Sequence, residues 1–379
     1  MPATLGTPNQ AKKTSLDGGS NSNADAPKMG YVPFTRGAKE HVEPGATLST
    51  TLSATNQVQT HRVPVYGYIH TLYLVITATT AGNAAATAFN ADAPWNVIRN
   101  LNFRDANGIP IRNLSGYQNY LAEKWGGYWL FRPDQSTFAF TTTTGAGATG
   151  GSFTIVMPIT CAFGRDGLGA LPNMDASSQY AVDLTLGTLA DVYSVAPTNP
   201  PTVTTQIVLR AYANPPAADA MGNPLRSTPP ALGTVQYWSV ATFNLTASEN
   251  VVYLPRVGNI IRNHVLVFRD GANARSNAVL GATMHIRHEL DATILFNESS
   301  LVRRQIDYMT YGFDCDTGLL VYGRTDDPDR IPSGEYGDKW LPTLGSTKYS
   351  LIFTPGATGV LEVLTNDIYP VGNIWSVES

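Results

Sequence analysis

The segment "VIRNLNFRD" at Val97–Asp105 returns 163 residues later as "IIRNHVLVFRD" at Ile260–Asp270. Both copies contain Ile-Arg-Asn followed by Phe-Arg-Asp, and the second copy is two residues longer. Because side chains alternate between the two faces of a β-strand, two extra residues leave the same side chains pointing inward. The repeat therefore predicts one strand with its turn, used once in each of two similar domains.

The composition of the chain is typical of an all-β protein. Charged residues make up 14% of the 379 residues, and 34 glycines and 25 prolines separate short runs of β-branched and aromatic residues. This length allows two domains of ordinary size. The net charge is −4, and no long basic run is present. Since phosphate binding needs concentrated Lys and Arg, we expect no sequence-specific nucleic acid among the partners.

A proline-rich segment, "NPPAADAMGNPLRSTPPALG" at 214–233, divides the chain. Proline cannot donate to a sheet ladder, so this segment cannot be a central strand and is interpreted as a linker. The polar, Gly- and Ser-containing residues up to about Met29 predict a flexible arm. The predicted organisation is an arm at 1–40, a first domain at 41–213, the linker at 214–233 and a second domain at 234–379.

Each half contains one predicted helix between its strands. Ser115 can cap the first helix, which Gly126-Gly127 ends, and Ser299 or Ser300 can cap the second, which Gly312 ends. The predicted apolar stripes are Tyr117, Tyr120, Leu121 and Trp125 in the first helix, and Val302, Ile306 and Met309 in the second.

The ends of the two halves also match. "SSQYAVDLTL" at Ser177–Leu186 corresponds to "STKYSLIFTP" at Ser346–Pro355, and one more predicted strand follows each of them. Several strands, one inserted helix and a final strand pair are typical of two-sheet antiparallel sandwiches with long connections. The sequence therefore predicts two related β-sandwich domains in tandem.

This order of segments resembles that of the double jelly-roll major capsid proteins, and most of all those of the tectiviruses, tailless bacteriophages with a membrane inside the shell. The resemblance rests on "NVIRNLNFRDANG", on "SGYQNYLAEKW" behind it, and on "GLGALPNMDASSQYAVDLTL". It covers the chain from about residue 40 to the end. It implies an all-β fold of two tandem eight-stranded jelly rolls, each with a short inserted helix.

The same resemblance implies a structural role without catalysis. Three copies of two similar domains would form a homotrimer of pseudo-hexagonal outline, which tiles an icosahedral shell over an internal membrane. The implied partners are neighbouring capsomers, penton or vertex proteins, minor membrane proteins and the inner lipid surface. The implied location is the virion, with assembly in the host cytoplasm. The outer loops are expected at Thr80–Ala93, Phe138–Ser152 and Asp326–Lys339.

Several motifs contain residue types that occur in catalytic, cofactor or metal sites. "GAGATG" at Gly145–Gly150 fits the dinucleotide fingerprint, but strand-like segments lie on both sides, so a loop is favoured over a cofactor site. His285 and His288 would point to opposite faces of a strand and could not share a metal ion. Asp326, Asp327 and Asp329 are interpreted as a solvated acidic turn rather than a calcium site. We expect no catalytic residue, cofactor or metal.

Two cysteines, Cys161 and Cys315, match no metal-site or redox spacing. Buried, reduced thiols are predicted, and a disulfide between the domains is the less favoured alternative. The uncharged stretch Val63–Ala91 contains too many threonines for a membrane-spanning helix. It is predicted to be a long strand followed by a loop in a soluble protein.

The arm and one aromatic cluster leave alternatives open. Lys12, Lys13, Lys28, Arg36 and Lys39 could face anionic lipid, where each contributes ~1 kcal/mol. The alternative is a tail that ties neighbouring subunits together or stays disordered. A second candidate function is a receptor- or carbohydrate-binding spike, in which aromatic residues stack on sugars, although the same residues would more simply fill the core beneath the first helix. These residues are Trp125, Tyr128, Trp129 and Phe131.

Overall fold

The computed structural model describes residues 30–33, 38–80, 83–126, 140–147, 149–162, 167–214, 216, 218, 220–222, 225–228, 236–312, 314–323 and 340–368. Strands dominate these residues, and the helices are few and short.

The strands of the first half run up to Tyr212. They are β1 (Gly30–Pro33), β2 (Glu40–Thr51), β3 (Gln57–Arg62), β4 (Tyr68–Thr79), β5 (Asn83–Phe89), β6 (Ile98–Arg104), β7 (Pro110–Leu114), β8 (Phe140–Thr142), β9 (Gly145–Gly147), β10 (Phe153–Thr160), β11 (Leu171–Pro172), β12 (Ala181–Leu186), β13 (Tyr193–Val195) and β14 (Thr202–Tyr212). A 3-10 helix (Trp95–Val97) and the helices α1 (Gly116–Trp125) and α2 (Leu189–Val192) interrupt them.

The second half has the same kind of order. Its strands are β15 (Leu225–Thr228), β16 (Gln236–Leu245), β17 (Asn250–Tyr253), β18 (Ile260–Arg269), β19 (His285–Leu290), β20 (Thr293–Ser299), β21 (Leu319–Gly323), β22 (Leu341–Pro342), β23 (Tyr349–Phe353) and β24 (Gly359–Ile368). Helix α3 (Asn277–Leu280) follows β18, and helix α4 (Ser300–Tyr311) follows β20.

Two jelly rolls emerge when the eight main strands of each half are counted in chain order. The first roll uses β2, β3, β4, β6, β7, β10, β12 and β14, and the second uses β16 to β21, β23 and β24. In both, one sheet has the strand order first, eighth, third, sixth, and the other has the order second, seventh, fourth, fifth. We call these the 1-8-3-6 sheet and the 2-7-4-5 sheet. The predicted double jelly-roll fold is confirmed.

The central strands alternate as their sequences require. On β4, Leu72, Leu74 and Ile76 are fully buried in the first roll, whereas Tyr73 and Val75 on the other face are only half-buried. This alternation matches the prediction of a long strand in this stretch. Strand β18 differs, because all ten of its residues are buried and its two faces pack in different hydrophobic clusters.

The two repeated segments form strands β6 and β18, but these strands are not equivalent. Strand β6 is the fourth strand of the first roll, whereas β18 is the third strand of the second, so its true counterpart is β4. The prediction of matched positions was therefore wrong. The repeat encodes a shared local turn: Asp105 accepts from the N–H groups two and four residues ahead, and Asp270 does the same.

The later correspondences are confirmed. Strands β12 and β23 are the seventh strands of their rolls, and β14 and β24 are the eighth. Helices α1 and α4 both lie between the fifth and the sixth strand. Both predicted caps are present, because Ser115 accepts from the N–H of Gln118 and Ser299 accepts from that of Val302.

The apolar stripe predicted for α4 is present, but it does not face the core of its roll. Val302, Ile306 and Met309 are exposed, whereas the polar Arg303 and Asp307 are buried. The physical reason is a hydrogen-bond network on the inner side of the helix. Arg303 donates to Asp307, whose other carboxylate oxygen accepts the N–H of Val321 on β21. The helix is thus attached to its roll by its polar side, and its apolar side faces outward.

Short strands occupy three segments that were predicted to lack them. The linker contains β15, which pairs in parallel with β1 outside the sheets of both rolls. The proline-rich segment therefore supplies no central strand to either roll, as predicted. The two predicted outer loops within the described residues contain β5, β8 and β9. Strands β5 and β9 pair with each other, so the Gly-rich fingerprint forms part of a small sheet. The third predicted loop, Asp326–Lys339, lies outside the described residues.

Candidate functional site

The junction between the two rolls is built around helix α1. A capping box starts this helix, since the Ser115 hydroxyl accepts the N–H of Gln118 at 3.2 Å and the side-chain Oε1 of Gln118 accepts the N–H of Ser115 at 3.0 Å. The helix ends at Gly126, as predicted. All of its residues except Gln118 are buried, so α1 is enclosed on more than one side.

One side of α1 is attached to the first roll. The buried Glu123 carboxylate accepts from the Thr160 N–H at 2.9 Å and from its hydroxyl at 2.6 Å, and it pairs with Arg112. Asn119 donates to the Pro158 carbonyl at 2.9 Å. Because Pro158 and Thr160 belong to β10, these bonds fix α1 along the sixth strand of its own roll.

The other side of α1 contacts the second roll. Lys124 forms a 3.0 Å ion pair with Asp316, and Asn263 on β18 donates to the Trp125 carbonyl. The Trp125 ring meets the Tyr311 ring edge to face, with 5.0 Å between centroids. Helix α1 therefore joins the two rolls through an ion pair, a hydrogen bond and an aromatic contact.

A cluster of charged residues closes the same junction near the start of α1. Asp92 of the first roll lies 2.7 Å from both Arg269 and Arg275 of the second, and Arg269 also pairs with Glu362 at 2.9 Å. Both guanidinium groups lie over the Tyr117 ring. Burial lowers the pKa of Arg269, but Glu362 and Asp92 outweigh this effect and hold the pKa above its ordinary value. The Arg269 guanidinium therefore stays protonated.

Apolar packing is continuous across the junction. The outer face of the second roll's 1-8-3-6 sheet belongs to the same hydrophobic cluster as the core of the first roll. The side chains on that face are Val265, Val267, Leu319, Val321 and Leu364. A parallel bridge between Trp238 on β16 and Arg112 on β7 also links the sheets of the two rolls. Two similar rolls thus share one packed boundary.

Most of the cations predicted to act in the arm lie outside the residues that the structure describes. Lys12, Lys13, Lys28 and Arg36 lie outside the described residues. Lys39 is exposed directly before β2, and its carbonyl accepts the N–H of Ala213 at 2.7 Å. A role for these cations stays a prediction.

The histidine pair behaves as predicted. His285 is exposed and His288 is fully buried on β19, so the two rings do not meet, and His288 lies 3.0 Å from the Tyr349 hydroxyl. Across the described residues, no group of three or more His, Cys, Asp or Glu side chains could hold a metal ion. The acidic turn with Asp326, Asp327 and Asp329 lies outside them.

The cysteine prediction is confirmed, because Cys161 and Cys315 are both free and buried. Burial raises the pKa of Cys161 to about 12. Of the aromatic cluster, Trp125 is fully buried in the junction and cannot stack on a sugar, which disfavours the carbohydrate-binding alternative. Tyr128, Trp129 and Phe131 lie outside the described residues. Within the part of the chain that the structure describes, no helix is long and apolar enough to cross a membrane.

Sequence reasoning missed the charged cluster of the junction. Arg269 belongs to the repeated segment, but Asp92 lies in an alanine-rich stretch with no motif, 177 residues away. Only the docking of the two rolls brings the two side chains together, so no local pattern could have identified the pair.

No protein-family model matches the sequence, and no curated protein matches it. Solved structures share its fold, among them three viral capsid proteins. The MCP of STIV, Sulfolobus turreted icosahedral virus, has a TM-score of 0.61 at 13% identity, covering 89% of this chain and 100% of that one. The major capsid protein P2 of bacteriophage PM2 has a TM-score of 0.53 at 8% identity, covering 89% and 99%. The Faustovirus major capsid protein has a TM-score of 0.54 at 9% identity, covering 87% and 90%. This chain therefore has the double jelly-roll fold of viral major capsid proteins.

Proposed function

We propose that this protein is the major capsid protein of a virus, a structural protein without catalytic activity. The observation that carries the proposal is the pairing of two rolls of identical strand order across one packed boundary. Three copies of such a chain supply six similar units, which suit a trimer of pseudo-hexagonal outline. Trimers of this outline can pack side by side in a hexagonal lattice and so form the facets of an icosahedral shell.

The proposal extends to the setting of the shell. Its partners are other copies of the chain in neighbouring capsomers, penton or vertex proteins and minor membrane proteins. The shell surrounds an internal membrane, as in tectivirus-like bacteriophages, and the protein is located in the virion after assembly in the host cytoplasm. Support comes from the shared fold and from the order of segments that resembles the tectivirus proteins.

The arm at 1–40 has its own proposed role in assembly. Lys12, Lys13 and Lys28 would either meet the anionic surface of the inner membrane or tie neighbouring subunits together. Deleting residues 2–28 is expected to reduce particle yield while leaving the rolls folded. Replacing the three lysines with glutamine separates the two roles, because lipid attraction depends on charge. Particles formed normally by the deletion variant would overturn the proposed role.

The native mass of the purified protein tests the proposed function. Light scattering coupled to size exclusion is expected to give three times the mass of the chain over a dilution series. Negative-stain images of the same fraction should show particles with a six-lobed outline. A protein that stays monomeric at every concentration would overturn the capsid proposal.

A further inference from the structure

Helix α4 presents an apolar surface to solvent. Leu301, Val302, Tyr308 and Met309 are 64%, 49%, 47% and 67% exposed. Single exposed apolar side chains are ordinary, but here these four and Ile306, at 37%, lie on one short helix whose polar side is buried. The orientation is fixed, because Arg303 and Asp307 attach the opposite side to the roll.

Helices α1 and α4 can be aligned position by position. Their capping residues, Ser115 and Ser299, are equivalent, and the eighth residue after each cap is a fully buried carboxylate, Glu123 or Asp307. Each carboxylate accepts a backbone N–H from the sixth strand of its own roll, from Thr160 or from Val321. The two helices therefore sit on their rolls in the same way.

This alignment shows which residues of α1 correspond to the exposed residues of α4. On α1, four side chains contact the second roll: Tyr117, Gln118, Lys124 and Trp125. Their counterparts on α4 are Leu301, Val302, Tyr308 and Met309, which are four of the five exposed apolar residues of that helix. The surface that α1 uses to bind the next roll is thus repeated on α4, where it stays exposed instead of packing on a roll.

The matching receptor surface is also present and is partly exposed. In the second roll, α1 contacts the 1-8-3-6 sheet on the outer face that carries Val265. The corresponding face of the first roll carries Tyr73 and Val75 on β4, Val156 on β10 and Val208 on β14. Cross-strand pairing sets Val75 beside Val156 and Tyr73 beside Val208. All four are half-buried in the single chain.

We propose that α4 docks on the outer face of the first roll's 1-8-3-6 sheet in a second copy of this chain. The contact would repeat between copies the junction that α1 makes within one copy. This inference rests on the proposed function and names the surface that forms the trimer. A second copy is the occupant because the helix surface and the receptor surface belong to the same chain, and in a single copy the first is exposed and the second is partly exposed. A head-to-tail contact forms a closed ring when the rotation between copies closes, as it does in a trimer.

The first test replaces Leu301 with aspartate. Leu301→Asp puts a carboxylate on the docking surface, and an acidic residue in the first turn of a helix favours that helix, so α4 is expected to stay folded. We expect a loss of at least about tenfold in trimer affinity, seen as dissociation at concentrations where the unmodified protein is intact. The matched control is Val251→Asp, an exposed apolar position on β17 at the far edge of the 2-7-4-5 sheet, which should remain trimeric.

The second test identifies the receptor surface. Two variants, Val302→Cys and Val75→Cys, are mixed and oxidised, and a disulfide between different chains is expected. Each variant alone and a mixture of Val251→Cys with Val75→Cys should give none, and the native cysteines are buried. An unmodified protein that is trimeric, together with a trimeric Leu301→Asp variant and no cross-link, would overturn the docking surface and leave the capsid proposal intact. An unmodified protein that is monomeric would overturn both.

Discussion

Asp92 of the first roll and Arg269 of the second form a 2.7 Å ion pair whose two side chains are almost fully buried. Arg275 reaches the other oxygen of the same carboxylate, also at 2.7 Å. The pair connects the two rolls directly, so its strength reports how the rolls dock rather than how either roll folds.

Replacing Asp92 with alanine should destabilise the protein by roughly 3 kcal/mol, because it leaves two arginines in the junction without their shared carboxylate. Urea unfolding followed by tryptophan fluorescence measures the loss. The control is Asp183→Ala, which breaks a 2.6 Å pair with Arg104 inside the first roll. That pair is partly exposed and should contribute about 1 kcal/mol or less. Equal losses in the two variants would contradict a special role for the junction.

The Arg112–Glu123 pair holds α1 on the first roll, and both side chains are buried. Glu123→Leu leaves the guanidinium buried without its carboxylate and should cost about 3–5 kcal/mol. The double variant Arg112→Leu/Glu123→Leu removes the orphaned charge, so it should recover part of this loss. Recovery stays incomplete because the Thr160 N–H also loses its acceptor. If the double variant unfolds at the same urea concentration as the single one, the unpaired charge of Arg112 does not cause the loss of stability.

The fold could be predicted because its signals are local. Alternation along β4, the caps at Ser115 and Ser299, and the prolines between the halves each act within a few residues. Even the mistaken match of β6 with β18 came from a real local feature, the turn after each strand in which an aspartate accepts the N–H groups two and four residues ahead. A turn of this kind can follow any strand, so it could not tell the third strand of a roll from the fourth.

The junction could not be predicted because its partners are distant in sequence. Asp92 has no motif, and its partners become known only when the rolls dock. The outward orientation of the α4 stripe could not be predicted for a related reason. Helical periodicity identifies an apolar face, but it does not say whether that face packs inside the chain or against another copy.

Gly67 gives a test of close backbone packing in the first roll. Its φ is +47°, and an added Cβ would lie 2.0 Å from the Tyr212 carbonyl oxygen. Gly67→Ala should therefore cost roughly 3 kcal/mol, from backbone strain and from a clash that no side-chain rotation relieves. Gly108 has a φ of +84° with nothing within 4 Å of an added Cβ, so Gly108→Ala should cost only about 1 kcal/mol. Thermal or urea unfolding of the two variants side by side measures the difference, and equal costs would show that the strand ends can separate.

Two carboxylates should make opposite contributions to the pH dependence of stability. Burial raises the pKa of Glu298 above its ordinary value of 4.5, although Arg303 opposes the effect. The folded state therefore favours the protonated form, and this contribution to stability is lost as pH rises through the folded pKa. Glu298→Gln keeps a neutral group, so the free energy of unfolding of this variant should gain on that of the unmodified protein as pH rises.

The N–H and hydroxyl of Thr347 hold the pKa of Asp291 below its ordinary value of 3.8, so its contribution is present above that value and is lost on acidification. Asp291→Asn should accordingly be less stable than the unmodified protein near neutral pH and converge with it in acid. Urea titrations from about pH 3 to 8 distinguish the two cases, and parallel curves for all three proteins would contradict both assignments.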